Sequence, residues 1–93
     1  VVGLKYDEGK DRWDLLPWKA LTQVVKVVTY GARKYGECNW QHVDRGQERY
    51  FAAMQRHIAA WRAGDATDDE TGLHHLAHAA CSALFLIWMD GYQ

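Results

Sequence analysis

Three of the five histidines in this chain, His74, His75 and His78, directly follow the acidic run Asp68-Asp69-Glu70 with only Thr71-Gly72-Leu73 between. His75 and His78 are three residues apart. On a helix that spacing makes them neighbours, able to share one metal ion, one phosphate or one proton. His57, beside Arg56 in an earlier segment, is placed to face them across a helical bundle. The competing reading makes these imidazoles hydrogen-bonded packing residues, and the spacing alone does not separate the two. His74 and His42 read as surface residues. Asp68, Asp69 and Glu70 offer hard oxygen ligands for Mg²⁺ or Mn²⁺. They equally suit the N-terminal turn of the helix that follows, where carboxylates satisfy exposed N–H groups. Glu70 stands closest to the histidines.

A second group of residues suits an anionic, flat ligand. Lys5, Lys10 and Arg12 give the N-terminal segment three cations, and with Lys34, Arg49 and Arg56 they could clamp a polyphosphate. No Gly-rich phosphate loop accompanies them, and scattered cations often serve only solubility. Arg49 and Arg56 are seven apart, on one helical face, among the small residues Ala52, Ala53, Ala59 and Ala60. Tyr35, Asn39 and Trp40 combine aromatic rings with an amide, a pairing that stacks on a nucleobase and reads its edge. Trp40 could equally plug the end of the bundle.

The elements that must carry these residues are helical. Residues 1–13 show no period and read as an extended arm. Pro17 suits the first turn of a helix. Leu21, Val24, Val25, Val28, Ala32 and Tyr35 then recur on one face, with Gly31 inside the pattern. Gly36 to Gly46 reads as a loop. A second helix is predicted from about Gln47 to Ala63, stopped by Gly64. An acidic connection leads to a third, from about Leu73 to Asp90, with Asp69, Glu70 and Thr71 as its candidate caps. Its residues divide into an apolar stripe (Leu73, Leu76, Ala77, Ala80, Leu84, Ile87, Trp88) and a semi-polar one (His75, His78, Ser82, Phe85, Met89). No segment alternates with period two for long, so no strand is predicted. A helix apolar on most sides needs cover on most sides, and three helices supply little. A homo-oligomer that completes the bundle is the economical answer.

Composition narrows the function class. Ninety-three residues make one small domain, 1–93, and a formal net charge of −1 exerts no global pull on nucleic acid or anionic membrane. The longest apolar run, Ala79 to Met89 broken by Ser82, falls short of the ~20 residues a spanning helix needs. Neither nucleic acid nor membrane is therefore expected as a partner. Cys38 and Cys81 do not form a disulfide framework, and free thiols in a cytoplasm are the simplest expectation.

Four motifs, in order and nearly end to end, carry a resemblance. Lys5-Tyr6-Asp7-x-Gly9-Lys10-x-Arg12-Trp13-Asp14-Leu15-Leu16-Pro17 is the first. Thr29-Tyr30-Gly31-Ala32-x-Lys34-Tyr35-Gly36 with Asn39-Trp40 is the second. Arg49-Tyr50-x-Ala52-Ala53-x-x-Arg56-His57 is the third, and Glu70-x-Gly72-Leu73-x-His75-Leu76-Ala77-His78-Ala79-Ala80 the fourth. Together they resemble the phage-type dATP/dGTP diphosphohydrolases, small relatives of the MazG-like all-α NTP pyrophosphohydrolases.

The resemblance implies an all-α domain of about three helices plus the arm, oligomeric, in a host cytoplasm if phage-encoded. It implies metal-dependent cleavage between the α- and β-phosphates of a purine deoxynucleoside triphosphate, giving the monophosphate and pyrophosphate. In that reading Glu70, His75, His78 and His57 hold metal or steer the attacking water, with Glu70, His75 and His78 as the metal set. Lys10, Arg12, Lys34, Arg49 and Arg56 meet the triphosphate, and Tyr35, Asn39 and Trp40 hold the base. The better-known MazG-like enzymes hold Mg²⁺ with helical carboxylate pairs. Here His75-x-x-His78 stands in such a position, which suits Mn²⁺ or another transition metal better than Mg²⁺. The alternative is a nucleotide-binding protein without catalysis, of the phage sponge type that sequesters a signalling nucleotide. It would use the same cations and aromatics and need no metal.

Overall fold

The structure is a computed structural model describing all 93 residues. It is all-α, with three helices: α1 (Trp18–Tyr35), α2 (Gly46–Arg62) and α3 (His75–Met89). Single 3-10 turns lie at Trp13–Leu15 and Asn39–His42. The arm before α1 is exposed throughout, as are all of residues 1–20. It draws the molecule out to 56 × 31 × 23 Å.

Each helix begins and ends for local reasons. Pro17 directly precedes α1, where its missing N–H costs nothing and its fixed φ suits the entry. α1 runs unbroken through Gly31, so the neighbouring helix formers outweigh one glycine. α2 closes in a Schellman motif. Gly64 takes φ +100°, its N–H reaches Trp61 O at 3.0 Å, and the Asp65 N–H reaches Ala60 O at 3.0 Å. At the other end of α2, a Cβ on Gly46 would sit 3.0 Å from Cε of Met89. Gly46 therefore lets the start of α2 approach the end of α3. Gln47 Nε2 donates to Asp90 Oδ1 at 3.0 Å across the same junction.

α3 lies between the other two helices and packs most closely on α2. Val27 of α1 meets Ala77 and Cys81 of α3 in a small core, with Val24, Leu73 and Phe85 around it. Only 6 of 93 residues are buried, so the chain alone encloses little apolar volume. No helix is long and apolar enough to cross a membrane.

α3 departs from expectation at its N-terminus. It starts at His75, not Leu73, and its cap is neither Asp69, Glu70 nor Thr71 but His74, whose Nδ1 accepts from the Leu76 N–H at 3.0 Å. His74 is thus a half-buried capping residue. The acidic residues cannot cap because their loop folds back on itself before the helix begins. The orientation of α3 is set by packing, not by either stripe alone. The inward side of α3 carries His75, Ala77, Cys81 and Ser82, whereas Leu84 and Ile87 from the apolar stripe stay about half exposed.

Candidate functional site

The site is built where α2 turns back into α3. The N–H of His75 donates to Ala66 O at 2.9 Å, and Thr67 pairs with His74 in an isolated bridge. Inside this hairpin Asp68 N–H donates to Leu73 O at 2.9 Å, and Gly72 N–H to Asp68 O at 2.7 Å. The Asp68 carboxylate also turns inward. Its Oδ2 accepts from the backbone N–H groups of Glu70 at 3.1 Å and Thr71 at 3.0 Å, and from the Thr71 hydroxyl at 3.2 Å. This is the Asx-turn geometry that makes Asp a loop former. Thr71 is the hub of the loop. Its Oγ1 also accepts from Leu73 N–H at 3.1 Å and shares a 2.7 Å hydrogen bond with Nε2 of His78.

Three imidazoles converge beneath this loop. His57 of α2 and His75 of α3 share a hydrogen bond between their Nδ1 atoms at 2.9 Å. The other nitrogen of His75, Nε2, lies 3.1 Å from Asp65 Oδ2. The rings of His57 and His78 stack, 4.5 Å between centroids and 13° from parallel. His57, Asp68 and His75 each offer a ligand atom within 4.8 Å of the others. Two imidazoles and a carboxylate form a donor set that fits a first-row transition metal, Mn²⁺ among them, better than Mg²⁺.

Burial and neighbours shift the pKa values of His57, His78 and Asp68. Burial first, then the proximity of His78, pushes the His57 pKa below the ordinary imidazole value. Burial does the same to His78, against the pull of Asp68. Both shifts favour the neutral imidazole, the form that ligation requires. Burial pushes Asp68 upward, but the bonds from Thr71 and the charge of His78 outweigh it and leave the carboxyl below its usual range.

Glu70 faces α1. Its Oε2 accepts from Lys34 Nζ at 2.7 Å and from the Tyr30 hydroxyl at 2.5 Å. Lys34 in turn holds Glu70 below, and Glu70 holds Tyr30 above, its ordinary pKa. These residues form one wall of a cleft of 450 Å³ between α1, the 36–40 loop, α2 and α3. That volume is in the range of small-molecule sites. The cleft is lined by Arg56, His57, Asp68 and Glu70 and also by Tyr35, Asn39, Trp40 and Phe85; Lys34 Nζ, bonded to Glu70, lies 5.1 Å from the Tyr35 ring centre. His57 and Asp68 face the cleft, and His75 stands behind them.

Most of the expected residues therefore meet. His57, His78, Glu70, Lys34, Tyr35, Asn39, Trp40 and Arg56 all line the cleft. The metal-ready cluster is His57, Asp68 and His75, whereas Glu70 is engaged by Lys34 and Tyr30, and His78 by Thr71. Arg49 lies outside the cleft. From α2 it is Tyr50, Ala53, Arg56 and His57 that line it. Lys10 and Arg12 stay in the arm, with Arg12 paired to Asp14 through two bonds of 2.8 Å. Trp40 is both a wall and a plug. It stacks on Phe85 at 4.1 Å and meets Trp88 edge-on at 4.9 Å. Sequence alone marks neither Asp65 nor Tyr30 as a site residue. Asp65 follows a helix-stop glycine and reads as surface, and Tyr30 sits inside a motif without a partner in sight.

Cys38 and Cys81 are both free. Cys81 is buried, its thiol pushed up to about 11 by that burial, and is inert as a nucleophile.

Comparison with known proteins gives the cleft a context. The chain is 38% identical over 89 residues to the dATP/dGTP diphosphohydrolase of Salmonella phage PMBT28, covering 96% of this chain and 30% of that protein. The chain thus spans about a third of the length of the curated relative it matches. No solved structure matches it. The family described as dATP/dGTP diphosphohydrolase, N-terminal, matches residues 2–92. That span takes in the arm, the three helices and every wall of the cleft, so the chain belongs to the family of dATP/dGTP diphosphohydrolase N-terminal domains.

Proposed function

We propose that this domain binds a purine deoxynucleoside triphosphate, dATP or dGTP, and hydrolyses it to the monophosphate and pyrophosphate with a divalent metal. The single observation that carries this reading is the cleft itself. It gathers imidazoles, carboxylates, two cations, aromatic rings and an amide around one space.

His57, Asp68 and His75 would hold the metal, Mn²⁺ before Mg²⁺ by donor type. When bound, the metal supplies charge for the phosphates and acidifies water. The remaining chemistry belongs to side chains. Lys34 and Arg56 neutralise the phosphates, where charge grows on the leaving pyrophosphate. Glu70 keeps Lys34 extended into the cleft. His78, anchored by Thr71, accepts a hydrogen bond or steers water beside His57. Tyr35 and Asn39 contact the base, with Trp40 as a rigid backing held by Phe85. Arg49, Lys10 and Arg12 meet phosphate only if a second copy or a movement of the arm brings them there.

A homo-oligomer belongs to the same reading. Leu84 and Ile87 on α3, and Phe51, Ile58 and Trp61 on α2, are all at least two-fifths exposed in the single chain. A second copy covering them would supply the enclosure that one chain lacks. Light scattering that gives a 10.7 kDa particle at micromolar concentration would remove this part.

The test of function is incubation with each dNTP and Mg²⁺ or Mn²⁺, with products resolved by chromatography. Monophosphate and pyrophosphate from dATP or dGTP are expected. Saturable binding without turnover under either metal would instead assign the sponge-type reading. Neither binding nor turnover would overturn both.

A further inference from the structure

We propose that Asp65 is a positioning residue that acts through His75 to set the metal-facing nitrogen of the site. The inference rests on the reading that His57, Asp68 and His75 hold a divalent metal. It adds a residue which neither lines the cleft nor belongs to that ligand set.

The argument begins with the bond between the two Nδ1 atoms of His57 and His75, 2.9 Å apart. One hydrogen lies between two like nitrogens, and nothing in the pair itself decides which ring carries it. Asp65 decides. A carboxylate only accepts, so Nε2 of His75, 3.1 Å from Asp65 Oδ2, carries the hydrogen and donates it. Neutral His75 then has its lone pair on Nδ1, toward His57. His57 donates from its own Nδ1. Its Nε2 has no partner in the chain, and no polar side-chain atom of the protein is buried without one. That nitrogen is therefore open to water. His57 can exchange its hydrogen to Nε2 through solvent and free its Nδ1 as well. Both lone pairs then meet in the space that Asp68 borders.

The surroundings support a positioning role. Asp65 is held by the Schellman closure of α2, through its own N–H on Ala60 O. The His75 backbone is tied to the next residue, Ala66, at 2.9 Å. Donor and acceptor are thus fixed by the same turn. The side chain of His75 is only 8% exposed, whereas that of Asp65 is 61% exposed. The carboxylate stays solvated while orienting a buried ring, the geometry of a carboxylate–histidine pair behind a metal.

The test compares wild-type protein with Asp65→Ala and Asp65→Asn, using Mn²⁺ alone as titrant at neutral pH. Because Asp65 is exposed, both variants should melt close to wild type. Asp65→Ala should weaken Mn²⁺ binding by about 10–100-fold. Asp65→Asn, which keeps an acceptor but not the charge, should fall between. Nitrogen NMR of the metal-free protein supplies the readout that a structural role would not move. His75 should be a single tautomer, hydrogen on Nε2, in wild type, and a mixture in Asp65→Ala. Unchanged Mn²⁺ affinity and an unchanged tautomer in Asp65→Ala would overturn the proposal while leaving the metal site standing. Wild-type protein that binds neither Mn²⁺ nor Co²⁺ would instead remove the metal reading, and Asp65's role with it.

Discussion

Replacing Thr71 by Val tests whether the loop between α2 and α3 is held by the hydroxyl hub. Val matches Thr in shape, so what is lost is the set of hydrogen bonds. Three partners lose their bond to Oγ1: the Leu73 N–H at 3.1 Å, the Asp68 carboxylate at 3.2 Å and His78 Nε2 at 2.7 Å. A neutral bond of this kind contributes about 1 kcal/mol, and an unpaired partner costs its desolvation besides. Asp68 keeps two backbone donors and loses least. His78 and Asp68 are mostly shielded, with side chains 14% and 22% exposed, so water replaces the lost partner poorly. Together the loss is about 2–3 kcal/mol. In a domain of this size each kcal/mol moves Tm by about 4–8 °C. Thr71→Val should therefore melt at least about 8 °C lower, while Thr71→Ser, which keeps the hydroxyl, should stay close to wild type. Circular dichroism melts of the three proteins decide it. Val and Ser variants melting within 2 °C of each other, a margin of well under about 1 kcal/mol, would refute the hub.

Three further outcomes follow from the same geometry. His57 and His78 have folded-state pKa values below the unfolded imidazole value, so the unfolded chain binds protons first on acidification. Stability in urea should be flat between about pH 7 and 8 and fall as pH drops below about 6.5; a rise on acidification would contradict the burial of these rings. Arg56→Ala should weaken dNTP binding by about 10–100-fold, the worth of a charged hydrogen bond, while Arg49→Ala, outside the cleft, should change it little; equal losses in isothermal titrations would displace Arg56 from the phosphate role. Glu70→Gln should shift Tm by only a few degrees, because the pair with Lys34 is about half exposed and screened, and a collapse of the fold would make Glu70 structural rather than a cleft residue.

Signals that act over one or two helical turns were legible in the chain. Pro17 and Gly64 bound helices because a fixed φ and a left-handed cap are local requirements. His75 and His78 share a face of α3 because three residues are most of one turn. Arg56 and His57 on α2, with Lys34 and Tyr35 at the end of α1, were recognisable as groups. Their meeting in one cleft followed once three helices had to enclose one space.

What only the tertiary structure decided is which face of α3 points inward. Its residues are apolar almost all round, so no single stripe outcompetes the others. The packing of α1 and α2 places the histidine side within and leaves Leu84 and Ile87 outside. The acidic run could not be resolved from composition either. Whether Asp68 caps a helix, binds a metal or folds a loop depends on where Thr71 and His78 stand around it. Asp65 meets His75 only because the chain reverses between them. A contact across ten residues of loop has no period to betray it; it exists because backbone hydrogen bonds close that turn.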